Sequence, residues 1–242
     1  MIVYGLNPVI EALRAGRVKV VRIANLRRNR RADEIKSLAL AGGVPVIPVS
    51  PETLDLEAHG ASHQGVVAEV TEAEARTLEE VLAEARPRPA LMVVLDGVED
   101  PQNVGAILRA ADAAGVDAVV RQSRHSAALG ASVAKASAGA LAHVRIVTVV
   151  NVARAIDALR EAGIWTVGLD QAGEVPYDEV ALTLPTALVL GAEGRGLRRL
   201  VRERCEVTAY IPMLGHVASL NVAVAGGIVL FEALRQRRKA GG

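Results

Sequence analysis

Ala90-Leu-Met-Val-Val-Leu-Asp-Gly-Val-Glu-Asp-Pro-Gln-Asn-Val-Gly-Ala-Ile-Leu-Arg109 reads as a strand, a loop and a helix in immediate succession. Leu91 to Leu95 is apolar at every position. That is the pattern of a short strand buried on both faces of a parallel sheet, not the alternation of a half-exposed one. Asp100-Pro101 opens the helix: the carboxylate can accept from a free first-turn N–H, and proline sits where no N–H is needed. The helix runs to Ala114, and Gly115 ends it. The texture then repeats. Val116 to Val120, Val144 to Val149, Ile164 to Leu169, Ala187 to Leu190 and Val207 to Ile211 read as strands. Ser126 to Ala140, Asn151 to Ala162, a short basic segment after Gly196, and Ser219 to Arg238 read as helices. Strict alternation predicts an open parallel sheet with helices on both faces and ligands beyond the carboxyl ends of its strands.

Upstream, residues 1–70 read as a small α/β unit. Asn7-Pro8 is expected to cap a helix that stops at Gly16, Val18 to Ala24 and Val44 to Val49 are strand candidates, and Arg31 to Ala41 is a helix. Ser50-Pro51-Glu52 opens another short helix, and Gly65 to Val70 is an apolar run of strand length. Residues 71–89 are acidic, alanine-rich and closed by Arg86-Pro-Arg-Pro89, so they are expected to form a linker with a helical first part. The expected organisation is a small domain over 1–70, a linker over 71–89 and a larger domain over 90–242, the first movable against the last.

The 242 residues, 51% hydrophobic and 23% charged, exclude a disordered or fibrous chain. One cysteine, Cys205, excludes a disulfide framework, and no Cys/His set has zinc spacing, so no metal is expected. Met1-Ile-Val-Tyr-Gly5 has neither the basic lead nor the apolar run of a signal peptide. The most apolar segment, Val217 to Leu234, contains Ser219, Asn221 and Glu232, which suits a buried helix better than a membrane span. The expectation is a soluble, cytoplasmic protein.

Net charge is only +1, but its distribution is uneven. Between Arg14 and Lys36, nine basic residues, Arg27, Arg28, Arg30 and Arg31 among them, face Asp33 and Glu34 alone. Further arginines cluster at 195–204 and 235–238. Such clustering is the footprint of a nucleic-acid binder, and it is also what a solvated helix face looks like; three clusters together favour nucleic acid. Aromatics at 2% argue against stacking platforms for single strands.

Three strand ends carry polar residues that packing does not explain. Asn103 falls in the first turn of the helix after Leu95, and Arg109 lies further along among apolar neighbours. Asp112 at i+3 and a bound anion are both available as its partner. Gly191-Ala-Glu-Gly-Arg-Gly196 follows a buried strand, and its glycines suggest a backbone that approaches something closely. It is neither the GxGxxG fingerprint nor a P-loop. Glu193 within it reads as a solvated carboxylate or as a functional one. Ile211-Pro-Met-Leu-Gly-His-Val-Ala-Ser-Leu-Asn221 joins the last strand to the last helix, with Ser219 in N-cap position and Asn221 two residues inside. An amide there must find hydrogen bonds. His216 reads as a plain loop residue. No Ser-His-Asp arrangement or HExxH appears.

In this order, Asn103-Val-Gly-Ala-Ile-Leu-Arg109, Leu188-Val-Leu-Gly-Ala-Glu-Gly-Arg-Gly-Leu197 and Ile211-Pro-Met with Ser219-Leu-Asn-Val222 resemble the signature motifs of the SpoU/TrmH family of SPOUT RNA methyltransferases. Tyr4-Gly-Leu-Asn-Pro-Val-Ile-Glu-Ala-Leu13 and His63-Gln-Gly65 look like the substrate-binding domain of its RlmB-type members. The resemblance implies a Rossmann-like parallel sheet with a C-terminal trefoil knot, a homodimer with its active site near the two-fold interface, and S-adenosylmethionine as cofactor. It implies methyl transfer to the ribose 2′-oxygen of a guanosine in 23S rRNA. By motif position it implies a catalytic set of Asn103, Arg109, Glu193, Ser219 and Asn221. Backbone at Gly191, Ile211 and Leu220, with Leu190 and Met213 beside them, would hold the cofactor, and no acidic ribose-binding signature is required. Arg109 would grip a phosphate and stabilise the developing alkoxide.

A tRNA ribose methyltransferase shares the three motifs. The basic stretch between Arg14 and Arg31 in the first domain tilts the reading to rRNA. A non-catalytic RNA-binding assembly factor would not need Arg109, Glu193 and Asn221 together, and the absent GxGxxG disfavours a nucleotide-dependent dehydrogenase.

Overall fold

The structure, a computed structural model, describes residues 1–24, 29–71, 75–84 and 88–241. Arg27 and Arg28 of the expected RNA-binding cluster, and 72–74 and 85–87 of the expected linker, lie outside the described residues. In chain order the elements are β1 (Ile2–Tyr4), α1 (Leu6–Arg14), β2 (Val18–Ile23), α2 (Arg30–Ala41), β3 (Val46–Pro48), α3 (Pro51–Glu57), β4 (Val66–Val70), α4 (Leu78–Ala83), β5 (Leu91–Asp96) and α5 (Pro101–Ala114). There follow β6 (Ala118–Gln122), α6 (Ala131–Ala136), a 3-10 turn (Ala140–Ala142), β7 (Ile146–Val149), α7 (Val152–Glu161) and β8 (Trp165–Leu169). The chain closes with β9 (Val175–Pro176), β10 (Thr186–Gly191), α8 (Arg199–Arg204), β11 (Val207–Tyr210) and α9 (Val222–Ala240). They form two compact units: Met1–Glu74 with Ala128–His143, and Ala75–Ala127 with Val144–Gly242.

In the first unit the sheet order is β1-β4-β2-β3, with β4 antiparallel to β1 and β2, and β3 parallel to β2. Val9, Val21, Ile35, Leu54, Val66 and Val67 are fully buried around it. The first helix begins at Leu6, not at Pro8. Gln64 Oε1 accepts the Leu6 N–H at 3.0 Å, and Gly5 caps the helix at φ +96°. Pro8 is tolerated because the first-turn N–H groups have no helical partner. The expected helix over 126–140 shrinks to α6. Ala138 (φ 52°) and Gly139 (φ 100°) reverse the chain, and a Cβ on Gly139 would lie 2.6 Å from the Glu11 side chain. His143 Nε2 meets Glu11 Oε2 at 2.9 Å, and Lys135 Nζ donates to the Ser62 carbonyl at 3.0 Å, so 128–143 packs with the first unit.

The second unit is built on a seven-stranded sheet in the order β7-β6-β5-β10-β8-β11-β9, every neighbouring pair parallel. All residues of β5 and β10 are buried. Full burial of a Val or Leu side chain contributes about 1.5–3 kcal/mol, so these two strands anchor the core. Helix α5 forms as its caps dictate: Asp100 accepts from the Gln102 N–H, and Gly115 adopts φ +71° past the end. The strand expected from Val116 starts at Ala118, because the Val116 N–H bonds Ala111 O in the helix termination. Helix α5 packs on α9. Among the described residues no helix is long and apolar enough to cross a membrane.

Candidate active site

Register pairs Gly191, the last residue of β10, with Asp96, the last of β5. From Gly191 the chain makes a tight return: Ala192 N–H donates to Gly196 O at 3.1 Å and Gly196 N–H to Ala192 O at 2.9 Å. A Cβ on Gly191 would sit 2.2 Å from the Gly196 carbonyl carbon. What this glycine approaches closely is therefore its own loop, and the turn runs through Gly194 (φ +72°) and Gly196 (φ +66°). The far end of the loop is fixed by a pair that the sequence reading missed. Asp96, 0% exposed, accepts the Arg198 backbone N–H at 2.9 Å and its Nε–H at 2.6 Å, while Arg198 also donates to Gln122 Oε1 at 2.8 Å. The available signal was an acidic residue ending an otherwise apolar strand, since a buried carboxylate requires a cationic partner.

Held at both ends, the loop presents Glu193. Glu193 Oε2 accepts from Asn103 Nδ2 at 2.8 Å, and Asn103 Oδ1 accepts from Asn221 Nδ2 at 2.7 Å. Asn221 Oδ1 in turn accepts the Ala223 and Val224 N–H groups at 2.9 and 3.3 Å. Asn221 is thus the N-cap of α9, replacing Ser219 in the expected role, and the helix starts at Val222. This fixes the polarity of the chain. The free N–H groups of the helix require the Asn221 oxygen, so its NH2 faces Asn103, whose NH2 must then face the carboxylate. Asn103 is 6% exposed, and both ends of its amide are satisfied.

Beside this chain lies a cleft of about 600 Å³ at the carboxyl ends of β8 and β10. Leu190, Gly191, Ile211, Met213 and Leu220 all line it, together with Glu193, Ser219 and Asn221. From Ile211 to Leu220, no backbone group bonds another described residue, which leaves a row of main-chain donors and acceptors beside apolar walls. Such a lining suits an aromatic heterocycle with polar edges and an aliphatic tail, as in S-adenosylmethionine. Arg109 does not line this cleft. It is exposed on the solvent stripe of α5 with Gln102, Ala106 and Ala113, and among the described residues its side chain has no partner; the ion pair to Asp112 is not formed.

Several arginines of the basic clusters are engaged internally. Arg14 pairs with Glu11 and Glu34, Arg22 with Glu57, Arg204 with Asp157 and Arg235 with Glu232. Arg237 donates to the carbonyls of Pro89, Ala90, Leu182 and Leu184, and burial lowers its pKa. Arg30 and Arg31, at the start of α2, are exposed and have no ion pair among the described residues. No group of three or more His, Cys, Asp or Glu among those residues could hold a metal ion.

An all-parallel sheet with a cofactor-sized cleft at its strand ends and a directed amide–carboxylate chain at the cleft's edge defines a Rossmann-like, cofactor-dependent α/β enzyme. The chain belongs to the SpoU rRNA methylase family, which matches residues 90–231, while residues 2–76 match the RNA 2′-O ribose methyltransferase substrate-binding family. It is 44% identical over 240 residues to the 23S rRNA (guanosine-2′-O-)-methyltransferase RlmB of Pseudomonas aeruginosa, covering 97% of this chain and 96% of that one. Among solved structures, the SpoU methyltransferase AviRb from Streptomyces viridochromogenes in complex with AdoMet superposes with a TM-score of 0.82 at 30% identity, covering 99% of this chain and 91% of its own. An AdoMet-bound rRNA methyltransferase from Sinorhizobium meliloti gives 0.79 at 28%, covering 97% and 86%.

Proposed function

We propose that this protein transfers a methyl group from S-adenosylmethionine to the ribose 2′-oxygen of a guanosine in 23S rRNA, working as a cytoplasmic homodimer. The observation that carries the reading is the Asn221–Asn103–Glu193 chain at the edge of the cleft. The 23S rRNA assignment rests on the near-full-length likeness to the Pseudomonas aeruginosa enzyme. Residues 1–70 bind the RNA, with Arg27, Arg28, Arg30 and Arg31 on its phosphates. Residues 71–89 link them to the methyltransferase domain over 90–242, whose C-terminal part forms a trefoil knot.

Bound S-adenosylmethionine supplies an electrophilic methyl group on a sulfonium. Leu190, Ile211, Met213 and Leu220 wall it in, and backbone groups from Gly191 and from Ile211 to Leu220 take the polar edge of the adenine. Ser219 and Asn221 shape the space where the ribose enters. Arg109 grips the phosphate beside that ribose and stabilises the charge growing on the 2′-oxygen, as a planar fork can. Glu193, aimed by Asn103, orients the guanidinium. Because Arg109 stands outside the cleft of its own chain, the second copy brings them together. Support for such a dimer face comes from Val224 and Phe231 of α9, about half exposed beside α5, and from the exposed Leu214 and Val217. Calorimetric titration tests the class: S-adenosylmethionine should bind and NAD should not, whereas the reverse, or no binding of either, would overturn the reading.

A further inference from the structure

One of the two strands whose ends form the cleft, β8, is also followed by a carboxylate. Asp170 follows β8, which lies in the sheet between β10 and β11, and it lines the cleft. Its position is rigid. The Asp170 N–H donates to Ala209 O at 2.9 Å, and Gly173 presses so closely on β11 that a Cβ there would lie 2.5 Å from the Ala209 backbone. One carboxylate oxygen, Oδ1, accepts the Ala172 N–H at 2.9 Å, which leaves Oδ2 without a partner among the described residues. Oδ2 faces Gly196: a Cβ on that residue would come within 3.4 Å of it. Gly196 is left-handed at φ +66° and carries no side chain to crowd this oxygen.

A carboxylate with one uncommitted oxygen, in a cleft whose lining mixes apolar residues with Gln171, Arg195 and Ser219, is an acceptor awaiting donors. The vicinal diol of a ribose offers two hydroxyl donors at adjacent carbons, the pairing by which acidic residues at strand ends hold nucleoside cofactors in other parallel sheets. We infer that Asp170 accepts the ribose hydroxyls of the cofactor and so selects an adenosine-bearing ligand. This rests on the cofactor reading of the cleft given above, and it adds an acidic ribose contact that the glycine-rich motifs alone do not require.

Asp170→Asn separates this from a structural role, because the amide oxygen can still accept from Ala172 while the NH2 replaces Oδ2 and cannot accept. The probes are S-adenosylhomocysteine and 5′-methylthioadenosine, the second keeping the ribose but lacking the amino-acid part. Calorimetry should show the variant weakened about tenfold or more for both, in equal proportion, as expected for loss of a charge-assisted hydrogen bond. The native protein should lose affinity by a similar factor for the 2′,3′-dideoxy form of 5′-methylthioadenosine, a measurement that needs no variant. Equal binding of 5′-methylthioadenosine by variant and native protein, or a loss confined to S-adenosylhomocysteine, would overturn the inference; the latter would place Asp170 on the ammonium instead. If the native protein bound neither ligand, the cofactor reading itself would fail and take this inference with it.

Discussion

Asn221 donates its Nδ2–H to Asn103 Oδ1 at 2.7 Å across 118 positions of sequence. The bond joins the N-cap of one helix to the first turn of another, and its direction is imposed by the two backbone N–H groups that the Asn221 oxygen caps. Orientation is thereby transmitted from the free end of α9 to the Glu193 carboxylate through one buried amide.

Asn103→Asp keeps an acceptor for Asn221 but sets a second carboxylate against Glu193. Turnover should fall about 100-fold through misplacement of Glu193. Cofactor binding should change little, since Asn103 does not line the cleft. Stability should drop by about 1–3 kcal/mol, because a buried polar pair is left mismatched. Single-turnover rates, a cofactor titration and a urea melt check the three parts. An unchanged rate would remove Asn103 from the site.

Arg109→Lys keeps the charge and loses the fork. An exposed side chain without a partner among the described residues can be changed at little cost, so the melt should stay within about 0.5 kcal/mol of the native protein. Methyl transfer should nonetheless fall steeply, because a point charge does not replace two parallel N–H donors on a phosphate. Native-like turnover would contradict the bidentate role.

Cys205 is pushed up to about 12, chiefly by burial, with the Asp96 and Glu206 charges adding and Arg160 opposing. The thiolate is the reactive form, so native protein at pH 8 should react with iodoacetamide far more slowly than protein unfolded in urea. The linkage has a definite sign. Between the ordinary thiol value of 9.0 and about 12, the native state holds a proton that the unfolded chain has lost, so stability is intact below pH 9 and declines above it. Urea midpoints taken from pH 8 to 10.5 read this out. Cys205→Ser should flatten that decline.

The elements with strong local signals were legible. The run Leu91 to Leu95 and the Asp100-Pro101 and Gly115 punctuation specify β5 and α5 nearly residue for residue, because burial and capping are local physics. The start of α9 was not. Ser219 and Asn221 are both good caps, and only the tertiary bond to Asn103 selects between them. In the sequence the glycines after β10 suggest room for a ligand, whereas the space at Gly191 is filled by Gly196, a contact the sequence does not announce. The same holds for charge. Arg14 and Arg22 look free in the sequence, but Glu34 and Glu57 reach them from other elements. The pair Asp96–Arg198 likewise exists only once β5 and β10 lie side by side.

The most direct test is methyl transfer from labelled S-adenosylmethionine to unmodified 23S rRNA, 16S rRNA and tRNA, followed by nucleoside analysis and mapping of the product. Label is expected in 23S rRNA alone, recovered as 2′-O-methylguanosine at one position. Label on a base, in tRNA only, or in none of the three with the cofactor bound would contradict it.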